Sequence, residues 1–370
     1  MTSPRQTPGQ QPGKHVVDVE RRRGRGARSN ATGRFEKDVH EAFDDGWQSL
    51  GELESFKTEV FEDTAKSIIA RNDSPDISFE GSINPYRGCE HGCIYCYARP
   101  SHCYLGHSAG LDFETKLYAK SDAATLLERE FAKPGYRPST IALGGNTDPY
   151  QPIERERRIT RSILEVMART NHPVGIITKS ALVARDIDIL QPMAEKGLAR
   201  VAVSVTTLDR RVARAMEPRA ATPPRRLETV RQLSQAGIPV TVMVAPIIPG
   251  LTDHEIEPIL EAAREAGARD AGYVLLRLPL EIKALFREWL AEEFPGRAKR
   301  VISLLKSMHG GRDYTPEFGL RQRGKGPYAT QIALRFRLAK QRLGLGGERE
   351  ALRTDLFVRP GDGGKQLKLL

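Results

Sequence analysis

Apolar and polar positions follow two alternating rhythms through the middle of the chain, from about residue 79 to residue 310. Short runs of apolar and β-branched residues predict six strands, at residues 77–83, 140–143, 174–178, 200–206, 239–248 and 272–278. Stretches with apolar residues every three or four positions predict six helices, at residues 123–132, 159–170, 186–195, 225–235, 253–266 and 281–293. The helical rhythm is clearest at Ile159, Ile163 and Met167, which fall on one face.

This alternation is typical of an α/β protein in which parallel strands are joined by right-handed helical crossovers. The strand runs are apolar on both faces, as a sheet covered by helices requires. Six such units predict a partial (β/α)6 barrel of the TIM type. A doubly wound sheet is the competing arrangement, but no Gly-x-Gly-x-x-Gly follows the first strand. In a barrel, functional side chains are expected at the carboxyl ends of the strands.

The segments outside this core differ from it in composition. Residues 1–45 are rich in Pro, Gly, Gln and Arg and lack apolar periodicity, so they cannot bury enough apolar surface to offset the entropy of ordering. They predict a disordered basic arm, followed by a lead-in segment at residues 46–78. The core barrel is expected at residues 79–310. A C-terminal extension at residues 311–370 begins with an irregular basic loop and includes one more helix at residues 328–343.

The chain is basic, because 57 Lys and Arg against 47 Asp and Glu give a formal net charge of +10. Such a surplus favours polyanions, and nucleic acid is therefore a candidate partner. The alternative is that part of the surplus belongs to solvated tails, since Arg21, Arg22 and Arg23 lie in the predicted arm. No run approaches the roughly 20 apolar residues of a membrane span, and no apolar leader follows Met1. We therefore expect a cytoplasmic protein without membrane contact.

All four cysteines lie in one short segment, at Cys89, Cys93, Cys96 and Cys103. A disulfide framework would spread its cysteines along the chain, so the clustering favours a metal or cluster site. The first three have the spacing C-x3-C-x2-C, and three thiolates on a tight loop can hold three irons of a cubane and leave the fourth iron open. The alternatives are structural zinc, which prefers two C-x2-C pairs, and an electron carrier with Cys103 as a fourth ligand. Three nearby histidines are further candidate ligands, namely His91, His102 and His107.

With Tyr95 before its third cysteine, the loop resembles the signature of the radical S-adenosylmethionine (radical SAM) superfamily, whose partial (β/α)6 barrel agrees with the predicted elements. The resemblance covers roughly residues 80–290. It implies a [4Fe–4S] cluster on Cys89, Cys93 and Cys96, with Tyr95 beside the cluster or the cofactor. It also implies cleavage of S-adenosylmethionine to methionine and a 5′-deoxyadenosyl radical, which abstracts hydrogen from a substrate. A cellular one-electron reductant of the flavodoxin or ferredoxin type is the implied partner.

The end of the second predicted strand carries a stretch that looks like the superfamily's glycine-rich motif, which meets the methionine ammonium group. The stretch consists of Gly144, Gly145, Asn146 and Thr147. Two glycines at a strand end allow backbone to approach a ligand closely. An ordinary Gly-Asn-Asp-Pro turn is the alternative.

The ends of the third and fourth predicted strands supply three more candidate cofactor ligands. Lys179 follows the third strand, where its charge needs a partner such as a cofactor carboxylate, unless its side chain reaches solvent. Ser204 and Thr206 alternate onto one face of the fourth strand, from which their hydroxyls can meet ribose or the methionine part. Because Thr is also an ordinary strand former, a purely structural role for Thr206 stays open.

Within the superfamily, residues 84–99, 147–148 and 179–180 look like the branch that includes spore photoproduct lyase, which repairs a thymine dimer in DNA. That enzyme has a hydrogen-donating cysteine two residues before the pair that Thr147 and Asp148 match. Gly145 occupies this place here, so we expect a relative that lacks the lyase's final hydrogen-transfer step. Two hypotheses follow: a radical enzyme with an unidentified substrate, or a nucleic-acid-binding protein whose cluster senses or stabilises. A DNA-repair activity like that of the lyase would combine the two.

Overall fold

The structure is a computed structural model that describes residues 17–36, 56–77, 79–346 and 351–361. Its described strands are β1 (Glu59–Glu62), β2 (Ile69–Arg71), β3 (Gly81–Ile83), β4 (Tyr86–Arg87), β5 (Lys116–Ala119), β6 (Ile141–Leu143), β7 (Val174–Thr178), β8 (Ala199–Ser204), β9 (Val240–Ile247) and β10 (Asp270–Leu275). Its described α-helices are α1 (Asp112–Thr115), α2 (Ala123–Ala132), α3 (Glu154–Arg157), α4 (Ile159–Arg169), α5 (Ile187–Glu195), α6 (Arg210–Met216), α7 (Pro223–Gln235), α8 (Ile256–Glu265), α9 (Ile282–Glu293), α10 (Pro295–Met308) and α11 (Pro327–Arg342).

Seven strands form the central sheet, in the order β10-β9-β8-β7-β6-β3-β2. Six of these strands, β3, β6, β7, β8, β9 and β10, pair in parallel. Strand β2 adds an antiparallel strand beside β3. The six parallel strands confirm the predicted partial (β/α)6 barrel. Within the described ranges β2 and β10 do not pair with each other, so the barrel is open.

The crossover helices cover this sheet with their apolar faces. Helix α4 buries Ile163, Leu164 and Met167, whose spacing is part of the pattern that predicts the helix. The parallel register brings the carboxyl ends of neighbouring strands together. Leu143 at the end of β6 pairs with Ile176, and Thr178 at the end of β7 pairs with Val203. The loops after β6, β7 and β8 therefore meet at one end of the sheet, where the candidate site lies.

Some elements of the structure have no counterpart in the sequence prediction. Strands β1, β5 and β4 form a separate three-stranded sheet, and each is too short for a two-residue alternation to be visible. The first core strand is also shorter than predicted, and residue 78 lies outside the described residues. Helices α7 and α10 begin at Pro223 and Pro295, because proline fits the first turn of a helix.

The prediction of a disordered arm is wrong for residues 17–36, which we call the arm segment. Three of its arginines, Arg22, Arg25 and Arg28, are buried because acidic side chains and carbonyls of the core satisfy them. Arg22 lies 2.8 Å from Glu292, and Arg28 pairs with Glu292 and Glu293. Composition alone does not reveal such internal pairing of charge. Residues 1–16 and 37–55, the rest of the predicted arm and part of the lead-in, lie outside the described residues.

The described part of the C-terminal extension is irregular at residues 312–326 and continues into α11, which packs against α8. Residues 347–350 and 362–370 lie outside the described residues. None of the helices in the described ranges is long and apolar enough to cross a membrane.

The arm segment approaches the cysteine loop so closely that a Cβ atom on Gly26 would meet the Gly92 carbonyl oxygen at 1.8 Å. We expect Gly26→Ala to displace the segment, since backbone atoms cannot move aside as a flexible side chain can. Trypsin should then cleave after Arg25 and Arg28, which are buried in the wild-type chain. In the control Gly296→Ala, the new Cβ meets no atom within 4 Å and the digestion pattern should not change. Equal protection of both variants would contradict the contact.

Candidate active site

The cysteine loop connects β4 to a short 3-10 helix at Arg99–Leu105. Gly88 and Gly92 have φ values of 75° and 65°, a left-handed conformation that glycine adopts without strain. The backbone N–H of Cys89 donates to the Phe113 carbonyl at 2.9 Å, and that of Ile94 donates to the Met216 carbonyl at 3.0 Å. The loop is thus held by the chain on either side of it.

One fully buried side chain, Arg99, organises the interior of the loop. Its guanidinium donates to the carbonyls of Cys93 at 3.0 Å and Gly92 at 3.1 Å, and to two further carbonyls at residues 109 and 110. The remaining charge is balanced by Glu114, whose carboxylate lies 2.5 Å away. The same carboxylate accepts the backbone N–H groups of Gly26 and residue 27, both at 2.8 Å, so it also fixes the arm segment.

The thiols of the three spaced cysteines share one environment. Cys89 and Cys93 are buried and Cys96 is half-buried, and none of them forms a disulfide. Burial raises the pKa of each thiol. The Lys179 ammonium lowers the pKa of Cys93 and Cys96, while Cys93 and Cys96 raise the pKa of Cys89. Mutual electrostatic influence of this kind requires the groups to be close together.

The chemistry of the three thiols fits a cubane cluster, in which each cysteine would bind a different iron. In the described ranges, no group of three or more His, Cys, Asp or Glu side chains is placed to hold one metal ion. Thiolates buried without a cation would be costly, and cluster irons would supply the positive charge.

The fourth cysteine and two of the three histidines lie apart from this group. After burial, the groups that shift the pKa of Cys103 are Arg34 and Glu281, not the other thiols. The rings of His102 and His107 lie 5.3 Å apart and contact Tyr118. Cys103 and the two histidines thus have surroundings of their own, which argues against their use as ligands of an iron–sulfur cluster.

Tyr95 is anchored by a chain of buried polar groups. Its hydroxyl donates to Glu217, and Glu217 forms a buried ion pair with Arg226. Arg226 also donates to the Ser204 carbonyl at 3.1 Å, which ties the cysteine loop to the end of β8. Burial and the Glu217 carboxylate raise the pKa of Tyr95. Sequence reasoning missed Glu217 and Arg226, because no spacing pattern links a loop acid to a helical arginine.

The glycine motif lies against β7 and the loop after β3. Gly144 has φ 90°, and a Cβ there would meet the Ile177 carbonyl oxygen at 2.2 Å. The backbone N–H groups of Asn146 and Thr147 donate to the Asn84 side chain at 2.8 and 3.3 Å. The Thr147 hydroxyl is already used, since it donates to the carbonyl of residue 86 at 2.8 Å. Thr147 therefore positions the motif, whatever else it does.

Asp148 joins the ends of β6 and β7 to the cysteine loop. Its carboxylate accepts the backbone N–H of Lys179 and the hydroxyl of Thr178, both at 2.7 Å. It also lies 3.3 Å from Nδ1 of His91, a residue of the loop. Burial alone would raise the pKa of Asp148, but His91 and these hydrogen bonds outweigh it and hold the pKa at about 2. The sequence pointed to His91 only as a candidate ligand and to Asp148 only as part of a motif, and their contact with each other could not be predicted.

Three predicted cofactor residues lie at or just after the ends of the neighbouring strands β7 and β8. The half-buried Lys179 ammonium lies 5.8 Å from the centre of the Tyr95 ring, and no described carboxylate forms an ion pair with it. Ser204 is buried. The Thr206 hydroxyl is buried too and has no hydrogen-bond partner in the described part of the chain. An unpaired buried hydroxyl is costly unless a ligand satisfies it.

Tyr97, which follows Cys96, and Arg277 form a rim of one aromatic and one basic group beside the glycine motif. The Tyr97 hydroxyl donates to the Gly145 carbonyl, and the Arg277 guanidinium lies 5.1 Å from the centre of the Tyr97 ring. Tyr97 itself is 45% exposed to solvent. The rim thus borders both Cys96 and the glycine motif.

Sequence similarity identifies the family to which this chain belongs. A model of the radical SAM superfamily matches residues 83–263. Uncharacterized protein Rv2578c of Mycobacterium tuberculosis is 33% identical over 270 residues, which are 70% of this chain and 79% of that protein. The chain belongs to the radical SAM superfamily. A second relative, uncharacterized protein MJ0683 of Methanocaldococcus jannaschii, is 27% identical over 199 residues, or 54% of this chain and 71% of that protein.

Solved structures agree on the fold. A mutant of spore photoproduct lyase superposes with a TM-score of 0.54 and 16% identity, over 83% of this chain and 86% of that chain. Spore photoproduct lyase complexed with dinucleoside spore photoproduct gives a TM-score of 0.54 and 17% identity, over 77% of this chain and 80% of that chain. At such low identity the likeness shows the fold alone. Together with the superfamily match, it identifies the chain as a radical SAM enzyme with the predicted partial barrel.

The buried Arg226–Glu217 pair should matter for stability. Arg226→Met leaves the Glu217 carboxylate buried without its cation, and we expect the free energy of unfolding to fall by about 3–5 kcal/mol. The matched control on the same helix is Arg231→Met, which removes an exposed pair with Glu228 and should cost less than about 1 kcal/mol. Urea denaturation of the reduced, cluster-free protein measures both. Equal losses in the two variants would refute the assigned role of the buried pair.

Proposed function

We propose that Cys89, Cys93 and Cys96 hold a [4Fe–4S] cluster and that the chain binds S-adenosylmethionine beside it. The observation that carries this proposal is the shared environment at one end of the parallel sheet. The Lys179 ammonium, just after β7, acts on two of the three unbridged thiols. The unpaired Thr206 hydroxyl follows β8, the strand that pairs with β7. Three cysteines leave one iron of a cubane without a protein ligand, and a chelating cofactor would complete it.

Different residues near the thiols would bind different parts of the cofactor. The Lys179 ammonium would pair with the cofactor carboxylate, since no described carboxylate neutralises it. The Thr206 and Ser204 hydroxyls would meet ribose or the methionine part. The backbone of Gly144, Gly145 and Asn146 would receive the methionine ammonium group, with Thr147 and Asn84 as positioning residues.

A cluster held by Cys89, Cys93 and Cys96 would supply, once reduced, the electron for cleavage of S-adenosylmethionine to methionine and a 5′-deoxyadenosyl radical, which would take hydrogen from the substrate. The chain's own part is to bind, orient and exclude water. Arg99 and Glu114 hold the loop rigid, and the bond to Glu217 fixes the orientation of the Tyr95 ring. A flavodoxin- or ferredoxin-type carrier in the cytoplasm is the proposed source of the electron.

Nucleic acid is the second candidate, as substrate or as partner. The net charge of +10 and the likeness in fold to a lyase complexed with a dinucleoside lesion favour it. Gly145 separates this chain from the lyase mechanism, because glycine has no thiol to donate hydrogen. We therefore propose that any action on nucleic acid ends in a different final step.

The cysteine assignment is tested by a comparison with the fourth cysteine. Anaerobic reconstitution of the wild-type protein should give about four irons per chain and, with dithionite and S-adenosylmethionine, 5′-deoxyadenosine. Cys89→Ala, Cys93→Ala and Cys96→Ala should each lose the cluster and the product. Cys103→Ala is the matched control and should keep both, because its thiol lies beside Arg34 and Glu281.

Retained iron and product in the three variants would refute the ligand assignment. A stable cluster without any 5′-deoxyadenosine in the wild-type protein would favour the alternative, in which the cluster only senses or stabilises.

A further inference from the structure

A groove of about 300 Å³ opens beside the cysteine loop. Three arginines line it, together with His91 and the backbone on either side at residues 180–182 and 220–222. The arginines are Arg155, Arg219 and Arg225, all exposed to solvent. We call this feature the arginine groove. It is distinct from the cofactor residues, although Ser180 on its wall follows Lys179 directly.

The chain around the groove is strongly basic. Residues 210–226 contain six arginines and one acidic residue, Glu217, whose charge is already paired with Arg226. Arg219 lies 3.1 Å from Glu90. Neither Arg155 nor Arg225 forms an ion pair with a carboxylate in the described residues. Two cations therefore line the groove without an acidic partner from the described part of the chain.

The cysteine loop contributes one residue to the lining of the groove, His91. Its neighbour Glu90 pairs with Arg219, which also lines the groove. Both residues lie between Cys89 and Cys93, the first two proposed cluster ligands. A protein seated in the groove would therefore contact the loop that holds the proposed cluster. Short separation matters, because electron tunnelling weakens steeply with distance.

The groove does not coincide with the rim described above. Its lining contains none of Tyr97, Gly145 or Arg277, which border Cys96 and the glycine motif. A molecule bound in the groove would leave that rim free for substrate. This separation favours an electron donor over a nucleic-acid substrate, which must itself reach the radical.

We propose that the arginine groove is the docking site of an acidic one-electron carrier protein. The inference rests on the proposed function and names its partner surface. One electron leaves the carrier's reduced flavin or iron–sulfur centre and enters the cluster through the loop of His91. The carrier is oxidised by one electron, the cluster is reduced by one, and no proton moves. Charge complementarity of this kind mainly accelerates association.

The test compares two charge reversals of equal size. Arg155→Glu combined with Arg225→Glu alters the groove, and Arg297→Glu combined with Arg337→Glu alters exposed positions on α10 and α11. The probe is an acidic flavodoxin, photoreduced before mixing. The rate at which the cluster absorbance bleaches measures electron transfer. Calorimetry with oxidised flavodoxin and the cluster-free variants measures docking without any catalysis.

We expect the groove variant to be reduced by flavodoxin about tenfold more slowly at low ionic strength and to bind it more weakly. Reduction by dithionite, a small reductant, should match the wild-type rate. The gap should close near 1 M salt, where the Debye length is about 3 Å. The control variant should behave like the wild-type protein throughout.

Three outcomes would overturn the docking proposal: equal loss in both double variants, no loss in the groove variant, or an equally slow reaction with dithionite. A groove variant that loses only the binding of a single-stranded oligonucleotide would assign the groove to nucleic acid instead. Failure of the proposed function is seen separately, since the wild-type protein would then form no cluster or yield no 5′-deoxyadenosine with dithionite.

Discussion

The rest of the site depends on the burial of Arg99 opposite Glu114. A guanidinium without solvent is tolerable only if its donors are met, and here the carbonyls of Gly92 and Cys93 meet two of them. The loop between the proposed ligands is therefore shaped by a charge that lies beneath it. The shared carboxylate accepts the backbone of Gly26, which explains why a basic arm segment packs onto the core.

A second constraint is the meeting of strand ends. Asp148 after β6 accepts hydrogen bonds from Thr178 and Lys179 after β7, and it faces His91 in the loop. The parallel register makes this possible, because it brings neighbouring carboxyl ends to one level. Asp148 thus positions Lys179, a proposed cofactor residue, relative to the cysteine loop.

The periodic part of the fold could be predicted from the sequence because its pattern is local. The apolar face of α4 and the β-branched run of β7 can each be recognised within a few residues of sequence. The partners Glu217 and Arg226 could not be predicted, since their contact depends on where two distant elements end. The burial of the arm segment could not be predicted for the same reason. The partners of Arg25 and Arg22 are Glu114 and Glu292 of α9, which lie far away in the sequence.

We propose that the cluster keeps one iron open for S-adenosylmethionine and that Lys179 helps to hold the cofactor. Electron paramagnetic resonance of the dithionite-reduced cluster, recorded with and without the cofactor, tests both points. If one iron is open, the cofactor should change the spectrum of the wild-type protein. In Lys179→Met, with its cluster intact, the same change should need a much higher cofactor concentration. A wild-type spectrum that stays unchanged at saturating cofactor would contradict the account.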